Sequence, residues 1–319
     1  MFRIAGAILL CLATLTAAAQ DWPSKPVRFI VPFPPGGSVD PLARLLGVKL
    51  GDALKQQFIV ENRPGAGGSI GTAAAAKAPA DGYTFLVVFD SHGVNQALIP
   101  NLQYDTAKDF APVMLVGTAP YAIATQAGKP WKSFAEVAAA AKAKPETVTV
   151  GSIGNGTLGH LLLVQAQQMG GFRITHVPFA GGGPMNQNIL GGQIDMGAGS
   201  VALLAPQVKG GKMRAIATAG EKRATTMPDV PTLIEQGFPG LTAYAWWGIY
   251  APAGTPKAII EKFHAELVKV LTQPDVRKTL SESLGMDLVV SSPEALQKWT
   301  LEQMAHWGKI VKDNGIKAD

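Results

Sequence analysis

Cysteine, clustered charge and catalytic motifs are all scarce in this sequence, and each scarcity removes a class of function. The single cysteine, Cys11, lies in an apolar stretch from Ile4 to Leu15. That stretch follows a short basic start, Met1-Phe2-Arg3, and leads to small residues at Ala17-Ala18-Ala19-Gln20. The layout is that of a secretory signal peptide, assigned to residues 1–20. An apolar core of about a dozen residues is short of the roughly 20 needed to span a membrane. Cys11 also lacks the small residues expected just before a lipidated cysteine. Cleavage would leave a mature chain with no disulfide, no cysteine metal site and no thiol nucleophile. Stability must then come from a large apolar core, which about 300 residues can supply, most readily as two domains. No later stretch is long and apolar enough to cross a membrane, so a soluble protein in the periplasm or outside the cell is expected.

Charge is thin and dispersed. Asp, Glu, Lys and Arg make up 16% of the chain, and the net charge of +5 includes Arg3. No Lys/Arg run resembles a nucleic-acid arm or a polybasic anchor, so no nucleic-acid partner is expected. The mild positive balance reads first as the solvated faces of Lys-bearing helices, with anionic partners as the alternative. Catalytic signatures are missing too. No G-x-S-x-G elbow occurs, and Ser152 follows a glycine only to lead into Ile153-Gly154. None of the five histidines stands in H-x-x-x-H or H-E-x-x-H spacing, so no metal is expected. Gly65-Ala66-Gly67-Gly68-Ser69-Ile70-Gly71 lacks the Gly-Lys-Ser/Thr end of a P-loop.

One stretch does match a cofactor motif: Gly154-Asn155-Gly156-Thr157-Leu158-Gly159 fits G-x-G-x-x-G. A dinucleotide site needs that turn at the first strand of its unit, with an acidic residue about 20 positions on. Here the match lies deep in the chain, and His176, Pro178, Phe179 and Ala180 stand where the acid should be. The match reads as fortuitous, and no cofactor is expected.

What the sequence does contain is alternation. Strand-like runs at Val27–Val31, Phe58–Val60, Thr84–Phe89 and Val113–Ile123 are interleaved with helical patterns at Val39–Leu54 and Ile70–Ala78. The pattern then restarts, with helices at Phe134–Lys144, Leu158–Met169 and Pro184–Leu190. Strands fall between and after them at Val148–Val150, Ile174–Val177, Ile194–Met196 and Arg214–Ala219. Long helices at Pro256–Leu271 and Pro293–Val311 surround a short strand, Asp287–Val290. This is an α/β chain with two lobes, each a mostly parallel sheet flanked by helices. Residues 21–120 with 247–319 are assigned to lobe 1 and residues 121–246 to lobe 2. Strand-like crossings near Gly117–Tyr121 and Leu241–Gly248 would join them, and the C-terminal helices pack back on the first lobe.

Glycine-bearing turns follow several strands: Pro32–Ser38, Asp90–Gly93, Gly151–Thr157 and Phe179–Gly183. Ligands of open α/β sheets bind at such turns, where backbone N–H groups converge at helix starts and favour an anion. Asp40 reads first as a helix-start carboxylate paired with Arg44. Its functional alternative is ordering the Pro-Pro-Gly-Gly loop or taking a ligand ammonium. Asp195 reads first as a strand-end hydrogen-bonding group, with ligand contact as its alternative, His176 as structural, and Trp246 and Trp247 as core. For His160, at the first turn of a helix, packing and ligand contact are left open.

Seven segments taken together resemble one family. They are WPSKPVRFIVPFPPGGSVDPLAR, FIVENRPGAGGSIGTAAAAKAPADGYTFL, DFAPVMLVG, GSIGNGTLGHL, HVPFAGGGP, RATTMPDVPTLIEQGFPG and WWGIYAPAGTP. In this order they resemble the extracytoplasmic solute receptors of tripartite tricarboxylate transporters, often called Bug receptors. The resemblance implies a two-lobed periplasmic binding protein of type II-like fold, not an enzyme. It would hold a small organic carboxylate between closing lobes and deliver it to membrane permease subunits. It further implies ligand contacts from Phe33, Pro35, Gly36, Gly37, Ser38 and Ser91 on one lobe, and from Ser152, Gly156, Thr157, Phe179 and Ser200 on the other.

Two departures stand out. Many relatives carry Tyr-Lys after Val-Pro, where this chain has Phe179-Ala180, and its third-strand loop begins Phe89-Asp90. Both make the pocket more apolar, so a mono- or dicarboxylate with an apolar or aromatic body is expected over citrate. A monomer is expected, since closing lobes must leave the cleft rim free. The rival reading is a receptor that presents bound ligand to a sensor kinase.

Overall fold

The computed structural model describes residues 22–317, so the signal peptide and Cys11 lie outside the described residues. The chain begins with β1 (Val27–Val31), α1 (Val39–Leu54), β2 (Phe58–Asn62), α2 (Ser69–Ala76) and β3 (Thr84–Val88). β1 pairs in parallel with both β2 and β3. α1 forms because Leu42, Leu46 and Leu50 recur every four residues on one buried stripe. A short helix α3 (Asn95–Leu98) precedes β4 (Phe110–Gln126).

A second layer follows: α4 (Phe134–Ala143), β5 (Thr149–Ser152), α5 (Leu158–Gly170), β6 (Thr175–Pro178), α6 (Gly182–Leu190), β7 (Met196–Ser200), α7 (Val201–Lys209) and β8 (Met213–Thr218). The chain returns through β9 (Tyr244–Pro252), α8 (Lys257–Leu271), α9 (Pro274–Lys278), β10 (Asp287–Leu288) and α10 (Pro293–Asp313). α8 packs back on the first layer, where the Phe263 ring lies 4.0 Å from that of Phe85 and stacks on Phe58.

The strand order is β2-β1-β3-β9-β4-β7-β5-β6, with β8 and β10 also on β4. β4, a strand of 17 residues, pairs with β9 and β10 along its first part and with β7 and β8 along its second. Three register shifts along it let one strand bend from one sheet into the next. Each layer is a mixed sheet. The parallel pairs come from βα units, and every antiparallel pair involves β4 or β9, which arrive by crossing rather than by a helical crossover.

Three segments differ from the sequence pattern. Ile194–Asp195 lies outside the strand, which is instead Met196-Gly197-Ala198-Gly199-Ser200. A side chain at Gly197 would meet Ile189 and one at Gly199 would meet Leu203, so the packed helices α6 and α7 demand glycine where strand propensity would ask for β-branched residues. α7 escapes notice because it is short and contains Pro206. β9 runs on from the expected crossing to Pro252 and is buried on both faces beside Trp246 and Trp247.

Candidate functional site

Three turns, each following a strand and leading to a helix, meet between the layers with the end of β7 at Ser200: Pro32–Ser38 after β1, Ile153–Thr157 after β5 and Phe179–Gly181 after β6. They enclose a cavity of ≈ 310 Å³ with a recess of ≈ 20 Å³ beside it. The cavity is walled by Pro32–Pro34, Gly65–Gly68, Asn95, Leu98, Ile99, Ile153–Asn155 and Pro178–Ala180. The recess is walled by Phe33, Gly37, Ser38, Val39, Phe89, Ile153, Gly182, Ser200 and Leu203, so Phe33 and Ile153 border both spaces. No wall residue of either space carries a charge.

The starts of three helices converge on the recess: α1 after Ser38, α6 at Gly182 and α7 after Ser200. Ser200 Oγ accepts from Leu203 N–H at 3.2 Å, and the remaining first-turn N–H groups with the helix dipoles make an uncharged recess attractive to an anion. A space near 20 Å³ admits one oxygen or one water rather than a whole molecule, whereas ~300 Å³ is the lower end of small-ligand sites.

The turns touch across the rim. A side chain at Gly183 would lie 2.8 Å from the Pro35 carbonyl oxygen, and one at Gly181 would lie 2.8 Å from the Pro34 ring. At the far edge, a side chain at Gly156 would collide with Leu98. Glycine is therefore what allows the two layers to approach this closely.

The site residues expected from sequence divide into groups. Phe33, Gly37, Ser38 and Ser200 line the recess, and Phe179 with Phe33 walls the cavity. Pro35 and Gly36 are exposed on the rim. The hydroxyls of Ser91, Ser152 and Thr157 are all engaged within the protein. Ser91 donates to Gly67 O at 2.8 Å and Thr157 to Gly154 O at 2.6 Å. Ser152 Oγ sits 2.8 Å from Gly154 O and 2.7 Å from His176 Nε2. These bonds shape the turns, and none of the three residues lines either space. Gly156 N–H donates to His160 Nδ1 at 2.9 Å, and the imidazoles of His160 and His176 stack face to face at 3.9 Å. His160 thus packs the turn.

Two acids lie off the cavity. Asp40 accepts from Arg44 and from Asn62 Nδ2, and Asn62 also donates to Phe33 O at 3.0 Å. Asp40 therefore braces the first turn from behind. Asp195 takes the first of its two readings, a strand-end hydrogen-bonding group: it bonds Lys129 and Thr149, the first residue of β5, while the cavity is at the other end of that strand. Burial raises its carboxyl, but the bonds from Thr149 and Lys129 outweigh this and hold it below the usual carboxylate range.

Residues 42–316 match the family model described as tripartite tricarboxylate transporter family receptor. The chain belongs to that family. It is 33% identical to the protein BugT of Bordetella pertussis over 323 residues, 99% of each chain. An R. palustris protein solved with adipate superposes with a TM-score of 0.89 at 30% identity, covering 94% of this chain and all of that one. MatC from Rhodopseudomonas palustris, solved with bound malate, gives 0.85 at 33% identity, covering 91% and 100%.

For this receptor, sequence reasoning missed part of the cavity wall. Leu98, Ile99 and Asn95 come from α3, a four-residue helix with no periodic signal. Gly65–Gly68, whose sequence lacks a P-loop ending and carries no other ligand signal, also lines the cavity. Both phenylalanine departures do reach the site: Phe89 lines the recess and Phe179 the cavity. Behind Phe89, Asp90 accepts from the Tyr121 hydroxyl at 2.7 Å, and burial pushes its carboxyl well above the usual range.

Proposed function

We propose that this protein is a monomeric periplasmic receptor. It captures one small organic carboxylate between two lobes that close, and delivers it to permease subunits without catalysing any reaction. Lobe 1 is residues 21–120 with 247–319, lobe 2 is residues 121–246, and β4 and β9 are the crossings on which they move. The observation that carries this reading is the uncharged recess at three helix starts, beside an apolar cavity with which it shares Phe33 and Ile153. A carboxylate oxygen or a bridging water takes the recess, and the ligand body lies against Phe33, Phe179, Leu98 and Ile153. Relatives solved with adipate and malate support a carboxylate. The phenylalanines favour an apolar or aromatic body over citrate.

The test is a thermal-shift titration of residues 21–319 with linear dicarboxylates, benzoate-type acids, citrate and amino acids, with NAD as control. A ligand at about 100 times its Kd adds about 2.7 kcal/mol to the folded state, so a true ligand raises Tm with concentration. Absence of any response to acids overturns the receptor reading. A stronger response to citrate than to every apolar-bodied acid overturns the ligand class.

A further inference from the structure

The segment after α10 joins the two layers by a route separate from β4 and β9. α10 itself is anchored on the first layer. Thr300 Oγ1 bonds the Tyr250 hydroxyl at 2.5 Å, Trp307 is buried, and Gly93 lies against Gln303. Past the end of the helix the chain turns onto the second layer. Asn314 Oδ1 accepts from Gln168 Nε2 on α5. Ile316 is half-buried against the core. The carbonyl oxygen of Lys317 accepts from Asn155 Nδ2 at 3.3 Å. Asn155 belongs to the cavity wall, in the same turn whose Gly156 packs on Leu98 of α3.

We propose that residues 314–317 are a latch that holds the two layers together over the cavity. The proposal rests on the reading of two lobes that close. A contact between groups anchored on different lobes forms only when the lobes approach, so it lowers the closed form relative to the open one. Gripping Asn155 has a second effect: it ties closure to the order of the Gly154–Thr157 turn.

The test is amide hydrogen exchange, without any added acid, on the full chain, on a variant lacking residues 314–319, and on Gln168→Ala. The turns at Phe33–Gly37 and Gly181–Gly183 make none of the latch's hydrogen bonds and cover each other across the rim. In the deletion variant their exchange is expected to rise about fivefold or more, with a smaller rise for Gln168→Ala, while the core strands keep their protection. A rise confined to Ile153–Thr157, a uniform rise across both layers, or no rise would each overturn the latch. Because no ligand is added, this outcome is separate from the receptor reading, which falls only if the acids give no thermal response.

Discussion

Gly183→Ala isolates closure from folding. Gly183 lies in the first turn of α6, at an ordinary backbone angle, so the helix accepts alanine and gains up to ~1 kcal/mol of propensity. Its new methyl group, however, would stand 2.8 Å from Pro35 O and 3.6 Å from Gly36 Cα, on the opposite turn. Real contacts of this kind need about half an ångström more, and forcing such overlap costs about 1–3 kcal/mol. That penalty exists only when the turns meet. Because apparent affinity scales with the population of the binding-competent form, ~1–2 kcal/mol predicts an affinity loss of roughly five- to thirtyfold. Calorimetric titration with the strongest acid from the thermal screen reads the affinity, and a melt of the acid-free protein reads the fold. The expected result is weaker binding with an unchanged or higher acid-free Tm. Equal affinity would show that the rim contact plays no part in binding, and a lowered Tm without affinity loss would show an ordinary packing site.

Two further outcomes follow from the same geometry. Gly37→Val should fold normally, since its nearest neighbour is Pro34 O at 3.9 Å, yet fill the recess and lower affinity by about tenfold or more, read by the same titration. The acid response should be set by buried neutral groups. His92, ringed by Tyr104, Phe110, Trp246 and Tyr250, is held by burial at a pKa of about 3 against the ordinary 6.5. Its folded value is depressed and its charged form is the one excluded, so its contribution is complete above pH 6.5 and is lost toward pH 3. The slope approaches about 1.4 kcal/mol per pH unit, and His92→Phe should flatten it in urea melts. Asp90 has the opposite sign. Its folded value is raised, so its contribution is present below the ordinary 3.8 and is lost as pH rises through the folded value. Asp90→Asn, which keeps an acceptor for Tyr121, should gain on the native protein as pH rises above 3.8, and a constant difference would refute this.

By itself the sequence determined the local and periodic features. Leucines every four residues specify α1, β-branched runs specify β1 to β3, and glycines after strands mark where backbone amides face an opening. These depend on neighbours a few positions away, and they appear within a few residues of their observed bounds. The family, too, was legible, because whole turns recur in order.

Tertiary structure decided the rest. β7 is a strand of small residues because three helices press on it, a demand no local propensity carries. Leu98 and Asn95 reach the cavity only because α3 is seated against the Gly154–Thr157 turn. The hydroxyls of Ser91, Ser152 and Thr157 looked like ligand donors in the sequence. In the fold none of the three lines either space, and each hydroxyl bonds a carbonyl oxygen of the protein. Asp195 shares its strand layer with the site but stands at its other end, since a residue's position along a strand relative to the cavity is fixed by sheet register alone.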